Sequence, residues 1–260
     1  MGVKMTDQTG FKPTDIITYD SFDEKVVREG LYNLFKTCPI PRDQLLSNLG
    51  LFLNSKHLSR ILFFDYLYKK IIDVSGVVME FGVRWGQNLS LFSALRGIYE
   101  PYNRHRKIIG FDTFTGFIGI HEKDGRSPMM REGQLSITDN YQYFLYEILK
   151  CQEKDNPLSH IQKFELCVGD ATQTIHHYLE GNPETIIALA FFDFDLYIPT
   201  KECLKAILPR LVKGSVIGFD ELNDHDSPGE TQALMDTIGL NNIKLLRYRY
   251  ASRVSYFVVE

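Results

Sequence analysis

Two apolar runs in the second half of the chain end abruptly in carboxylates. T-I-I-A-L-A-F-F runs into Asp193 and Asp195, and G-S-V-I-G-F runs into Asp220 and Glu221. Between them, over 199–212, Leu204, Ile207, Leu208 and Leu211 recur at helical spacing. Apolar runs this short, bounded by turn signals, predict buried strands of a parallel sheet. The segment is therefore a strand–helix–strand unit, and both acidic pairs emerge at the carboxyl ends of neighbouring parallel strands, where α/β sheets bind ligands. Four carboxyl groups in one crevice repel one another unless a cation or a shared proton is present. A hard divalent cation resolves that repulsion, and oxygen-only ligands suit Mg²⁺ better than zinc. Solvated loop acids are the competing reading. It is weaker, because burial of both strands dictates where the acids point.

The elements that must position a ligand beside these acids lie upstream. V-V-M-E-F-G, over 77–82, predicts the first strand, followed by the turn V-R-W-G and a helix over 87–99. The strand and turn carry Glu80, Gly82 and Gly86 as E-x-G-x-x-x-G, with Ser90 on the helix. This departs from the G-x-G-x-x-G of dinucleotide folds. It fits better the glycine-rich turn used for S-adenosylmethionine, where glycine admits a close approach of backbone to ligand. An ordinary tight turn with an internally satisfied Glu80 is the alternative. The second strand, over 107–112, ends in Asp112 and Thr113, and an acid at that place takes ribose hydroxyls. The third, over 164–168, runs into Gly169, Asp170 and Ala171. Asp170 there either receives the adenine amino group or caps the next helix, and both readings stay open.

The remaining elements complete the architecture. Ser21 with Glu24 forms a capping box for a helix over 21–35. Segments 42–53 and 56–72 predict two more helices, so residues 1–72 make an N-terminal helical extension or lid ahead of a domain over 73–260. Residues 1–18 are polar and irregular. Segment 114–138, glycine-rich with mixed charge, has the length of a functional loop. Helices are predicted over 140–152, 174–179 and 228–238. The runs 243–250 and 253–259 are joined only by Ala251 and Ser252, which requires an antiparallel hairpin. An α/β fold with a Rossmann-like, mostly parallel seven-stranded sheet and a C-terminal antiparallel hairpin is the arrangement of class I methyltransferases.

Bulk properties bound the rest. The 260 residues are 44% hydrophobic with net charge −4, consistent with one large domain and with no nucleic-acid surface. No apolar run approaches the ~20 residues of a membrane span, and no secretory signal opens the chain. The start M-G-V-K-M-T fits only the loose acylation pattern. Cys38, Cys151, Cys167 and Cys203 are scattered without a C-x-x-C pair, as expected of reduced thiols in a cytoplasmic protein. Phe63, Phe64, Tyr66 and Tyr68 are more aromatics than one lid needs, and predict a homo-oligomer. His225, close in sequence to Asp220, is the histidine to watch.

V-V-M-E-F-G-V-R-W-G, G-F-D-T-F-T-G-F, F-D-F-D-L-Y and G-S-V-I-G-F-D-E, in that order, resemble the macrocin O-methyltransferase family. Its members are metal-dependent enzymes that methylate sugar hydroxyls of antibiotics and their nucleotide-sugar precursors. The similarity runs from Ser59 to the C-terminus. It implies that Asp193 binds the metal, that Asp220 is the second ligand and that Asp195 is the general base. Glu221 stands where the family usually has a second aspartate and becomes the candidate third ligand. The turn V-R-W-G-Q replaces the family's V-W-R-G-G, so Arg84 and Trp85 inherit no role, and F-T-G-F replaces F-E-G-L in the lid.

The implied function is S-adenosylmethionine- and Mg²⁺-dependent O-methylation of a sugar or nucleotide-sugar, with no nucleic-acid or membrane partner. The residues suit that chemistry independently. A metal-chelated hydroxyl has a lowered pKa, and an adjacent carboxylate can take its proton. A catechol-type O-methyltransferase is the rival within enzymes and would need an apolar slot; Lys123, Arg126 and Arg131 in the lid favour the sugar nucleotide. A non-catalytic S-adenosylmethionine-binding regulatory or scaffold protein is the rival from another class, disfavoured because it gains nothing from concentrated acids.

Overall fold

The computed structural model describes residues 19–260; the readings of 1–18, including the acylation-like start, lie outside them. Five strands run parallel: β1 (Val77–Phe81), β2 (Ile108–Asp112), β3 (Phe164–Val168), β4 (Ile187–Phe192) and β5 (Leu211–Phe219). β6 (Leu246–Arg247) and β7 (Ser255–Val258) form the antiparallel hairpin, with β7 paired to β5. The seven-stranded order is β3-β2-β1-β4-β5-β7-β6. It reverses direction between β1 and β4, which opens a crevice at their carboxyl ends. This is the class I methyltransferase sheet that the sequence predicts.

Among the described residues, eight α-helices accompany it: α1 (Phe22–Lys36), α2 (Arg42–Leu45), α3 (Ser55–Lys70), α4 (Gln87–Tyr99), α5 (Tyr141–Asp155), α6 (Ala171–Gly181), α7 (Tyr197–Ile207) and α8 (Gly229–Thr237). Side chains alternate across the sheet with period two. Val78, Leu189, Phe191 and Val216 pack with α3, α4 and α5 on one face. Met79, Phe81, Phe111, Phe192 and Phe219 pack with α6, α7 and α8 on the other.

On that second face a row of rings crosses five strands. Phe111, Phe81, Phe192, Phe219 and Phe257 stack in sequence at centroid separations of 5.0, 4.6, 5.3 and 6.5 Å. Stacked pairs of this kind contribute about 0.5–1.5 kcal/mol each beyond their area burial. Four of the five rings immediately precede a residue of the crevice: Asp112, Gly82, Asp193 and Asp220. The ring row sets the level at which the strands end.

Several boundaries differ from expectation, each for a local reason. The helix expected over 42–53 is α2 followed by a 3₁₀ segment, Leu46–Phe52. Asn48 spends its side chain on the Gln44 carbonyl at 2.9 Å, and Gly50 weakens a helix interior. α7 stops at Ile207 rather than 212, because Pro209 lies just beyond and Leu211 already opens β5. The aromatics expected to form an oligomer surface are core: Phe63, Phe64 and Tyr68 are fully buried against the sheet, and the Tyr66 hydroxyl meets that of Tyr256 at 2.6 Å. α1 forms with its capping box, Ser21 N–H to Glu24 at 2.7 Å, yet buries no residue. Among the described residues no helix is long and apolar enough to cross a membrane, and the four cysteines are free.

Candidate active site

A cavity of about 550 Å³ opens at the switch point, within the range of small-molecule sites. The β4–α7 turn supplies its first acids. Asp193 continues the ladder through its N–H to the Phe81 carbonyl (2.7 Å), and Asp220 does so to that of Phe192 (3.0 Å). Asp195 is buried and adopts a left-handed φ of 62°, rare for a residue with a side chain. Its Oδ1 has no hydrogen-bond partner, and the residue lines the cavity. Two buried acids that the sequence reading missed hold this turn. Glu230, at the start of α8, accepts from the Phe194 N–H at 2.9 Å, and Asp124, in the 114–138 loop, accepts from the Tyr197 N–H at 2.6 Å. Both are fully buried. No periodic signal marks them, because each meets a partner that is distant in sequence.

Arg60, on α3, was also missed, and it reaches between the predicted metal ligands. One guanidinium nitrogen donates to Asp193 Oδ2 at 2.9 Å and another to Asp220. Burial opposes its charge, but Asp220 and Asp193 hold its pKa above the ordinary value. Glu221 pairs with Arg253, which also approaches Asp224 at 3.4 Å. Burial, then the neighbouring Asp220 carboxylate, raises the Asp193 pKa. Glu221 is raised by burial against the pull of Arg253. Glu230 is raised by burial and by the nearby Glu221 and Asp220. The acids of the cavity, Asp193, Asp195, Asp220 and Glu221, offer only oxygens, and Asp195 and Glu221 each keep a buried carboxylate oxygen without a partner. That set fits a hard cation. Among the described residues, the three potential ligands that lie within 4.8 Å of one another are instead Asp224, His225 and Asp226, with His225 exposed. The predicted trio is divided between two arginines, which answer its like-charge repulsion.

The cofactor side is divided as well. Gly82, Asp112, Thr113, Gly169, Asp170 and Ala171 line the cavity; Glu80, Gly86 and Ser90 do not. Gly82 has a φ of 95°, and a Cβ there would sit 2.0 Å from the Asp193 carbonyl oxygen. What its glycine admits is the adjacent β4 backbone, a reason different from the ligand approach expected from sequence. Gly86 starts α4 at φ 78°, where a Cβ would strike the Leu145 side chain. Glu80 is buried, accepts from Asn88 Nδ2 at 2.9 Å, and burial pushes its pKa up to about 8. Asp112 accepts from the Arg84 and Phe114 N–H groups at 2.7 and 2.6 Å. Asp170 caps α6 through Thr172 N–H (2.9 Å) while still lining the cavity, so the cap is realised without closing the adenine reading.

The 114–138 loop faces the cavity with Phe114, Phe117, Ile118, Met129, Leu135 and Ile137. Lys123, Arg126 and Arg131 do not line it; Lys123 is held outside by Asp236. The basic lid expected from sequence is therefore an apolar wall. Trp85 packs edge-on against Tyr141 at 4.9 Å, and its carbonyl accepts from the Tyr141 hydroxyl at 3.0 Å. His225 is on the surface beside Asp226, outside the main cavity.

No protein-family model and no curated protein matches the chain. Solved structures do. CalS11, a calicheamicin methyltransferase, is 40% identical over 97% of this chain and 99% of its own, with a TM-score of 0.91. The apo structure of CalS11, a TDP-rhamnose 3′-O-methyltransferase of calicheamicin biosynthesis, is 40% identical over 93% and 96%, with a TM-score of 0.83. The O-methyltransferase NovP, 18% identical over 77% and 79% with a TM-score of 0.58, shares the fold. An identity of 40% kept along nearly the full length of a macrocin-type enzyme goes well beyond a common fold, and the chain belongs to the macrocin O-methyltransferase family.

Proposed function

We propose that this methyltransferase moves the methyl group of S-adenosylmethionine to a hydroxyl of a sugar, borne by a nucleotide or a glycosylated natural product, with Mg²⁺ or a similar divalent ion. The observation that carries it is the buried acid cluster at the ends of β4 and β5, with a partnerless Asp195 oxygen on a residue of the same cavity. Asp193, Asp220 and Glu221 would hold the ion, and Gly82, Asp112, Thr113, Gly169, Asp170 and Ala171 the methyl donor, with Glu80, Gly86 and Ser90 shaping the turn behind it. When bound, the ion acidifies the acceptor hydroxyl and the sulfonium supplies the methyl. Asp195 takes the hydroxyl proton on Oδ1, while Glu230 and Asp124 hold its turn rigid. The N-terminal helical extension would serve as a lid at the mouth; among its described residues, Tyr19 and Arg60 line the cavity and support that role.

The likeness to CalS11 supports the sugar acceptor. The apolar lid wall favours a second reading, a catechol-type acceptor, since a flat ring needs such a slot. Labelled S-adenosylmethionine with a panel of nucleotide-sugars and catechols, with Mg²⁺ or with EDTA, separates them. Label in a sugar, lost with EDTA, is expected. Label in catechols alone moves the enzyme to the second reading, and label unaffected by EDTA removes the metal. We further place the enzyme in the cytoplasm as a homo-oligomer. With the α3 aromatics buried, support for assembly comes from α1, which exposes Phe22, Val27, Tyr32 and Leu34.

A further inference from the structure

Three arginines line the cavity: Arg60, Arg84 and Arg253. Arg60 is committed to Asp193 and Asp220, and Arg253 to Glu221 and Asp224. The guanidinium of Arg84 makes no hydrogen bond or ion pair with any described residue, and its Nε is buried without a partner. Its backbone is tightly placed nonetheless. The N–H donates to Asp112 at 2.7 Å, and φ is 49°, a left-handed conformation that a side-chain-bearing residue adopts at a cost. The arginine is thus fixed on the turn after β1, between the acid of β2 and the acid of β4, with donors unspent. A buried Nε left unsatisfied is costly, and Arg84 lines the cavity, so an acceptor arriving there from outside the chain would complete it.

The charge of the surroundings says where an anion can go. Asp112, Asp193, Asp195, Asp220 and Glu221 line the cavity and repel it, and two of the three arginines are neutralised. We infer that Arg84 is the anchor for an anionic group of the bound ligand, a carboxylate or a phosphate held by the guanidinium fork beside Gly82 and Asp112. Planar five-donor geometry matches both groups bidentately. The inference rests on the methyltransfer reading for its two sources: the carboxylate at the amino-acid end of the methyl donor, or the diphosphate of a nucleotide-sugar acceptor.

Calorimetry on wild type, Arg84→Met and Arg84→Lys separates the sources, with S-adenosylmethionine, decarboxylated S-adenosylmethionine and thymidine diphosphate as probes. If the donor's carboxylate is the anion, Arg84→Met binds S-adenosylmethionine roughly 10- to 100-fold more weakly, the range for losing a charge-assisted pair. The decarboxylated form is then unchanged within about twofold, and Arg84→Lys recovers part of the loss. If the diphosphate is the anion, the same weakening appears with thymidine diphosphate, and S-adenosylmethionine is unaffected. Unchanged binding of both anionic probes overturns the inference. So does an equal loss for S-adenosylmethionine and its decarboxylated form, which marks a merely structural arginine. Should Arg84→Met fail to fold, Arg84→Lys carries the comparison alone, because it keeps the charge and loses the fork. Absence of S-adenosylmethionine binding in wild type would instead remove the methyl-donor reading, leaving the diphosphate arm to decide Arg84.

Discussion

At the scale of single residues, the site sets its acids in different surroundings at the ends of two neighbouring strands. Asp193 and Asp220 share a guanidinium, whereas Asp195 is buried and keeps an oxygen free. Replacing Asp193 or Asp220 with alanine is expected to weaken Mg²⁺ binding with S-adenosylmethionine binding retained. Asp195→Asn, nearly isosteric, should keep both ligands and lower turnover by roughly 10²–10⁴-fold, the range for a lost general base. Full activity in that variant would put the base elsewhere. Glu80 makes a prediction of a different kind. Its pKa, raised by burial to about 8 from an ordinary 4.5, means the native state keeps a proton that the unfolded chain has lost between those values. The associated stability, on the order of a few kcal/mol, is complete below about pH 4.5 and is lost as pH rises through about 8. Glu80→Gln should therefore show a shallower fall in melting temperature across about pH 6–9 than wild type. Parallel slopes would count against the buried neutral carboxyl.

At the scale of elements, the strand ends and the turns after them are a single construction. The stacked rings Phe81, Phe192 and Phe219 end three parallel strands at one level, Phe111 stands beside them one residue before the end of β2, and the residues that follow the four rings enter the crevice together. Gly82 then lets the β1 turn lie against the β4 turn, with no room for a Cβ beside the Asp193 carbonyl. Gly82→Val is expected to destabilise the ligand-free protein by ~3 kcal/mol, or roughly 6–12 °C in melting temperature, as well as abolishing S-adenosylmethionine binding. A variant that lost binding at unchanged melting temperature would show that the glycine serves the ligand instead. α6 illustrates the same economy: the residue that caps it, Asp170, also lines the cavity.

At the scale of the whole molecule, the sheet is covered on both faces, yet α1 buries none of its residues. Exposed Phe22, Val27, Tyr32 and Leu34 on one short helix leave apolar surface that a second copy would cover. The chain mass is 30.0 kDa. Light scattering at working concentration should give twice that mass or a higher multiple, and the mass of one chain would refute the oligomer.

The features legible along the chain were local and periodic. Five apolar runs of strand length and the intervening helices were enough for the parallel sheet, because period and turn chemistry are properties of neighbours along the chain. The closing hairpin forms as expected, but its strands are only Leu246–Arg247 and Ser255–Val258, joined by 248–254 rather than by the expected link of Ala251 and Ser252. The acids of the crevice were legible for the same reason: each follows a strand whose burial aims it. What surrounds them, two arginines that offset their charge and two further acids that hold the Asp195 turn, came from the tertiary contacts alone. Arg60 arrives from α3, Glu230 from α8, Arg253 from the hairpin and Asp124 from the 114–138 loop, at sequence separations that no spacing rule reaches. Packing likewise sent Phe63, Phe64 and Tyr68 into the core and turned Lys123 away from the cavity. Composition shows that a helix has aromatics or a loop has charge; only the surface each lies against shows which way they face.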